Sequence, residues 1–161
     1  MRLSLLDTTL LSNFAHAGRP DLLRLVLGET AVTTPTVLVE LRRGEAAGFV
    51  PVADWAWLPV VTLSPAEEAL AAGYLAIVDA GEAECVAVAV ERNGRILSDD
   101  LAARRLAQAL GVPFSGTIGV LLRLIHHHDV TVAAADALLA QMRQAGYRAP
   151  AASLQQFLEE P

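Results

Sequence analysis

Four separated acidic positions occupy places where a polar side chain is unexpected. Asp7 closes the apolar run Leu3 to Leu6, Glu40 interrupts Val37-Leu38-Val39, Glu82 opens an alanine-rich stretch, and the doublet Asp99-Asp100 closes Arg95 to Ser98. Carboxylates about 4 Å apart repel by roughly 4 kcal/mol per pair at an effective dielectric near 20. If folding gathers them, they must protonate, spread apart or bind cations. A pocket of oxygen donors suits a hard cation such as Mg²⁺ or Mn²⁺. One or two such ions activate a water, steady a leaving oxygen and clamp a phosphodiester for in-line attack.

Each acid also has a local explanation. Asp7, followed by two threonines, reads as a helix N-cap, and either member of the Asp99-Asp100 doublet can cap the helix that follows. Glu82 and Glu84 complement a helix dipole, and Glu40 can pair with Arg42 or Arg43 along its own helix. One cap needs one acid, so the doublet leaves a spare, and Glu40 sits in an apolar stretch. The metal reading rests on the four positions together.

The elements that must position these acids alternate short β-type runs with helical stretches, the pattern of an α/β fold around a mostly parallel sheet. Residues 3–6 read as a strand, followed by a helix from Thr8 to Ala17 and a second from Pro20 to the stop at Gly28. Thr30 to Thr34 reads as a short strand and Pro35 opens a helix ending near Gly44. Val60 to Leu63 is expected to pair as a strand, and Ser64-Pro65-Ala66-Glu67 has capping-box spacing for a helix to about Ala71. A helix from Asp79 to Arg92 leads through the Asn93-Gly94 turn to a strand over Arg95 to Ser98. Leu101 to Leu110 is helical, Val112 to Phe114 is a last strand, and helices are expected from Gly119 to His127 and from Thr131 to Ala145. Ser153 to Glu159 reads as a final turn or two, and Ala149-Pro150-Ala151-Ala152 as loosely tethered chain. Ligands of parallel sheets bind beyond the carboxyl ends of the strands, which is where Asp7 and Asp99-Asp100 fall.

The chain of 161 residues, 53% hydrophobic, is expected to form a single domain over 1–161, with a core at about 3–145 and a C-terminal tail at 146–161. One cysteine, Cys85, allows no internal disulfide and there is no zinc-ligand spacing, which suits a reducing cytoplasm. The apolar N-terminal run is too brief for a membrane span or signal-peptide core. The net charge of −6 argues against a strongly basic nucleic-acid coat, although clustered carboxylates would account for much of it. All 12 basic side chains are arginine. Without lysine, the chain cannot provide the Lys of a receiver domain, of a haloacid-dehalogenase-type phosphatase or of a P-loop.

Five segments in order carry a resemblance: Leu6-Asp7-Thr8-Thr9-Leu10-Leu11-Ser12; Val39-Glu40-Leu41; Gly81-Glu82-Ala83-Glu84-Cys85-Val86; Ile96-Leu97-Ser98-Asp99-Asp100 with Ala103-Arg104; and Gly116-Thr117-Ile118-Gly119. Together they resemble the motifs of a PIN domain, most closely the VapC-like branch with a GEAE-type third motif and a late GT-x-G segment. The resemblance spans about residues 3–145. It implies a three-layer α/β fold with a central mostly parallel sheet flanked by helices, and a Mg²⁺- or Mn²⁺-dependent endoribonuclease acting as the toxin of a toxin-antitoxin pair. By position it assigns catalysis and metal binding to Asp7, Glu40, Glu82 and Asp100. Asp99 is an alternative to Asp100 as ligand, and Glu84 to Glu82. Glu82 stands where many relatives carry Asp, and its longer arm bears on where a second ion would sit. Thr117 corresponds to a polar position near the site that holds a water or phosphate.

Substrate contacts are sought among arginines near the acids. Arg42 and Arg43 follow Glu40, and Arg104 and Arg105 follow the acidic doublet, placing both pairs about one helical turn from the proposed ions. Guanidinium groups there are suited to phosphates flanking a scissile bond, with ordinary surface ion pairing as the alternative. Aromatic content of 5% argues against a broad base-stacking platform. The partners implied are RNA, an antitoxin protein whose peptide lies across the acid pocket in relatives, and a second copy through the apolar stretches at 119–125 and 131–142. The competing function is a PIN-fold protein that binds RNA or a partner with weak or no nuclease activity. His126-His127-His128-Asp129 reads as a solvated helix end, since consecutive histidines point apart on a helix. Cys85 reads as a buried small residue, and Ser115 lacks the frame of a serine nucleophile.

Overall fold

The computed structural model describes residues 1–159. Among them a four-stranded, wholly parallel sheet of order β2-β1-β3-β4 is built from β1 (Ser4–Leu6), β2 (Ala31–Val32), β3 (Arg95–Leu97) and β4 (Phe114–Ser115). The helices are α1 (Thr8–His16), α2 (Asp21–Leu27), α3 (Pro35–Ala46), α4 (Pro65–Tyr74), α5 (Ala80–Glu91), α6 (Leu101–Ala109), α7 (Thr117–His126), α8 (Val132–Gln144) and α9 (Gln155–Glu159).

Every strand runs the same way, so every strand delivers its following residue to one edge. From β1 the chain crosses to β2 on one side, then returns past β1 to β3 and β4 on the other. The crevice at such a reversal is where open α/β sheets bind ligands. Here it opens between Asp7 after β1 and Ser98-Asp99-Asp100 after β3. The register Leu6↔Leu97 fixes these two ends side by side, and the Asp7 amide extends the ladder by donating to the Leu97 carbonyl at 3.2 Å.

Helix α5 makes this edge compact. Gly81, Ala83, Cys85, Val86, Ala87, Val88 and Ala89 are all buried along it. Small side chains let it approach closely, and it packs on β1 and β3 with α3, α4 and α6 beside it. Around β4, α7 packs with α2 and α8, and α1 bridges to α3 and α8. One ion pair with a buried carboxylate braces the periphery: exposed Arg92 holds Glu67 through Nε at 2.6 Å and Nη2 at 2.8 Å.

Several expected boundaries shift for local reasons. The strand expected over Thr30 to Thr34 shrinks to Ala31–Val32, because Gly28–Thr30 forms a 3₁₀ turn closed by Thr30 Oγ1 donating to the Leu27 carbonyl at 2.7 Å. Val60 to Leu63 is not a strand; it contributes a single parallel bridge, Thr33↔Val60, between Pro59, which has no amide to donate, and the N-cap Ser64 of α4. Helix α4 continues past Ala71 to Tyr74, β4 begins at Phe114, and α7 starts two residues before the expected Gly119. The chain is fastened just beyond the Ala149-Pro150-Ala151-Ala152 stretch expected to be loosely tethered. Leu154 is fully buried, and Asp136 of α8 accepts the Leu154 amide at 2.7 Å and the Ser153 hydroxyl at 3.0 Å. The apolar faces expected to form a dimer are turned inward, burying Val120, Leu121 and Leu124 of α7 and Leu138, Leu139 and Met142 of α8. No helix among the described residues is long and apolar enough to cross a membrane.

Candidate metal centre

Asp7 is 1% exposed, carried to the sheet edge by the buried side chains of Leu5 and Leu6. Its extended backbone makes it the N-cap of α1, and Oδ1 accepts the Leu10 amide at 3.0 Å and the Thr9 hydroxyl at 2.8 Å. Ser98 donates its hydroxyl to Oδ2, while the same oxygen of Ser98 accepts the Asp100 amide at 3.0 Å. Thr9 bridges in the same way, since its hydroxyl also accepts the Asp99 amide at 3.3 Å. Two hydroxyls therefore lock the end of β1 to the turn after β3.

Asp100 caps α6 by accepting the Ala103 amide on Oδ2 at 2.9 Å. Glu82, in the first turn of α5, reaches back to the Asp79 amide at 3.2 Å in a capping box. The local explanations and the clustering thus coexist: one acid can cap a helix and still face its neighbours. Burial pushes the Asp7 carboxyl up to about 6, against the lowering effect of its bonds from Ser98, Leu10 and Thr9, with the charge of Asp99 adding to the rise. Burial also pushes Glu82 up to about 7, followed by repulsion from Asp100 and, less strongly, from Asp7. Asp7, Glu82 and Asp100 share one field, and none of the described ion pairs brings an arginine or histidine to them.

Glu40 stands one step away, spanning the starts of two helices. It accepts the Thr8 hydroxyl at 2.6 Å and the Gly81 amide at 3.1 Å. A Cβ at position 81 would lie 2.6 Å from Glu40 Oε2, so the glycine of the GEAE segment is what lets this carboxylate approach α5. Glu84 faces elsewhere: it accepts the Thr36 amide at 2.9 Å and hydroxyl at 2.6 Å, closing the start of α3. Between Glu82 and Glu84, Glu82 is the one whose charge interacts with Asp7 and Asp100.

Asp99 has a different character from Asp100. Oδ1 accepts the Thr117 amide at 2.8 Å and the Tyr147 hydroxyl at 3.2 Å, and Oδ2 accepts Asn13 Nδ2 at 3.1 Å and the Thr117 hydroxyl at 2.5 Å. An ionised carboxylate offers about four lone-pair sites, and four donors fill them. Asp99 is a fastening point for α1, α7 and the chain after α8, with no lone pair left to give an ion. Thr117 is fully buried and its hydroxyl is committed to Asp99, away from any open surface.

The arginines divide. Arg42 is paired with Glu45 at 2.9 Å on an exposed face of α3, beside exposed Arg43. Arg104 stacks over the Phe114 ring at 5.1 Å and lines a cavity that also contains Asp99, whereas Arg105 is exposed. Thr8, Thr9, Asn13, Ser98 and Tyr147 were not singled out as site residues from the sequence. One signal was available for part of this set: Thr9, Ser12, Asn13 and His16 recur at i, i+3, i+4 and i+7, a polar stripe on an otherwise apolar helix. Cys85 is buried, and His126, His127 and His128 are exposed at the end of α7.

The donors present are chemically suited to a hard divalent ion, being oxygens only and without a cationic partner among the described ion pairs, with burial raising the proton affinity of Asp7 and Glu82. Among the described residues no three aspartate, glutamate, histidine or cysteine side chains converge on one metal position, so an ion shared by Asp7, Glu82 and Asp100 competes with the two cap bonds. A family model described as a PIN domain matches residues 4–160. Neither the curated proteins nor the solved structures contain a match.

Proposed function

The chain belongs to the PIN-domain family, and from that premise we propose that it is a Mg²⁺- or Mn²⁺-dependent endoribonuclease, the toxin of a toxin-antitoxin pair of the VapC-like kind. PIN domains are commonly nucleases, which supports the coarser reading. The finer one is supported chiefly by a single observation: burial raises the proton affinity of Asp7 and Glu82 at the sheet's switch point, the charges of Asp100 and Asp7 add to the rise at Glu82, and none of the described ion pairs brings a basic partner to them.

In this reading Asp7, Glu82 and Asp100 hold the ion and Glu40 completes the cluster from α3. A bound divalent cation would supply an activated water and charge stabilisation at a phosphodiester. Ser98 and Thr9 orient Asp7 by directing a hydroxyl proton onto each of its oxygens, which fixes the carboxylate and offsets part of the effect of burial. The Thr8 hydroxyl and the Gly81 amide fix the two oxygens of Glu40 in place.

A second reading, a PIN-fold protein that binds RNA or a protein partner without cleaving, is favoured by the cap bonds that Glu82 and Asp100 already make. An arginine from an antitoxin would then neutralise the cluster in place of an ion. Incubating the protein with end-labelled total RNA separates the two. The nuclease reading predicts internal cleavage in Mn²⁺ or Mg²⁺ that disappears in EDTA. Intact RNA under all conditions, or cleavage that persists in EDTA, contradicts it.

A further inference from the structure

A groove of about 340 Å³ opens beside the acid cluster, near the lower end of the usual range for binding sites. One wall is the polar stripe of α1, including Ser12 and His16; another is the turn Asp99-Asp100-Leu101; the third is Gly146-Tyr147-Arg148, beyond α8. This third wall is held in place by the Tyr147 hydroxyl donating to Asp99 at 3.2 Å. Tyr147 is half-buried and divides this groove from the cavity lined by Arg104 and Phe114. Arg148 is exposed and makes no ion pair among the described residues.

The groove therefore combines the carboxylate of Asp100, the basic side chains of Arg148 and His16, and the ring of Tyr147. A polyanion with flat bases matches that set of surfaces: one phosphate reaches the reaction centre beside Asp100, a flanking phosphate meets the guanidinium, and a base lies against the ring. We propose that this groove holds a single-stranded RNA segment adjoining the scissile phosphate, with Tyr147 stacking on a base and Arg148 contacting a flanking phosphate. The assignment rests on the nuclease reading above and adds to it residues outside the five recurrent motifs. Hydroxyl and imidazole groups of the α1 stripe are placed to meet ribose 2′-hydroxyls, the feature that marks RNA. Asp99, whose oxygens are filled by protein donors, acts as a positioning residue by holding Tyr147.

Fluorescence anisotropy with a labelled single-stranded RNA dodecamer, in Ca²⁺ to neutralise the carboxylates, tests this assignment. Arg148→Ala is expected to weaken binding about five- to tenfold and to flatten the log-log salt dependence by roughly 0.7, the effect of one phosphate contact on a single strand. Arg143→Ala, which removes the same charge from the exposed face of α8, serves as the control and is expected to bind like the unaltered protein. Tyr147→Ala is expected to weaken binding about tenfold or more, the size of one lost base-aromatic stack. Tyr147→Phe, which keeps the ring and frees the wall, is expected to weaken it about threefold, less than Tyr147→Ala. Equal binding by Arg148→Ala and Arg143→Ala, in a protein that cleaves RNA, overturns this assignment alone. Unaltered protein that neither binds nor cleaves RNA overturns the nuclease reading together with it.

Discussion

Asp7→Asn is expected to abolish divalent-dependent RNA cleavage, with a loss of at least about 10³-fold, while the protein remains folded. The activity loss follows from removing the most deeply buried charge of the cluster, whose contribution at a developing phosphoryl charge is of the order seen when a preorganised electrostatic group is deleted. The fold survives because asparagine is isosteric. Its Oδ1 still accepts the Leu10 amide and the Thr9 hydroxyl, and its Nδ2 faces the Ser98 oxygen, which can accept once its own proton turns away. Asparagine also resembles the protonated aspartate. Since burial raises Asp7 from 3.8 to about 6, ionising it in the folded protein costs about 3 kcal/mol. The metal-free Asp7→Asn variant is thus expected to be more stable than the parent at pH 8 by an amount of that order. Thermal melts without metal and a cleavage assay with Mn²⁺ check both halves, and cleavage equal to the parent's contradicts the assignment of Asp7.

Without metal, the protein is expected to lose stability as the pH rises from about 5 to 7, and Mn²⁺ to restore it. The sign follows from linkage. Asp7 and Glu82 have folded values near 6 and 7 against ordinary values of 3.8 and 4.5, so between those limits the folded state binds more protons than the unfolded one. Stability then falls with pH across that window, and the loss is complete once both groups are ionised in the folded protein. Glu67 and Asp21, held low by Arg92 and Arg19, act in the opposite sense, but below the ordinary carboxylate range and so outside the window. A divalent ion competes for the same oxygens as the protons. Mn²⁺ at a hundred times its dissociation constant adds about 2.7 kcal/mol, an increment expected to be large at pH 8 and small at pH 5. Melting curves from pH 5 to 8 with and without Mn²⁺ measure it, and stability that climbs through this window, or an equal Mn²⁺ effect at both ends, contradicts the account.

Much of this arrangement was legible before any coordinates. An apolar run ending in an acid is a strand delivering a carboxylate to a sheet edge, and two such runs in a parallel sheet share that edge. Asp7 and the doublet Asp99-Asp100 are placed at that edge in this way, and the alternation of elements carried the fold class. The separate roles of Asp99 and Asp100 were not legible, because the donors that saturate Asp99 lie 86, 18 and 48 residues away in sequence. Glu84 was undecided for the same reason, its partner Thr36 lying 48 residues distant. Val60 to Leu63 misled because strand propensity describes a side chain's fit to a pleated surface, whereas a ladder also needs amides, and Pro59 has none. The inward faces of α7 and α8 looked like surplus apolar surface because α1, α2 and the segment around Leu154, which cover them, are remote in the chain.

The central claim is that Asp7, Glu82 and Asp100 hold a divalent ion at the sheet's switch point. Anomalous diffraction from Mn²⁺-soaked crystals tests it most directly. The account predicts a peak bound by the Asp7 carboxylate together with Asp100 and Glu82, with Asp99 still closed around Thr117 and Tyr147. A peak ligated by Asp99, or full Mn²⁺ occupancy elsewhere while Glu82 and Asp100 keep only their helix caps, would contradict it.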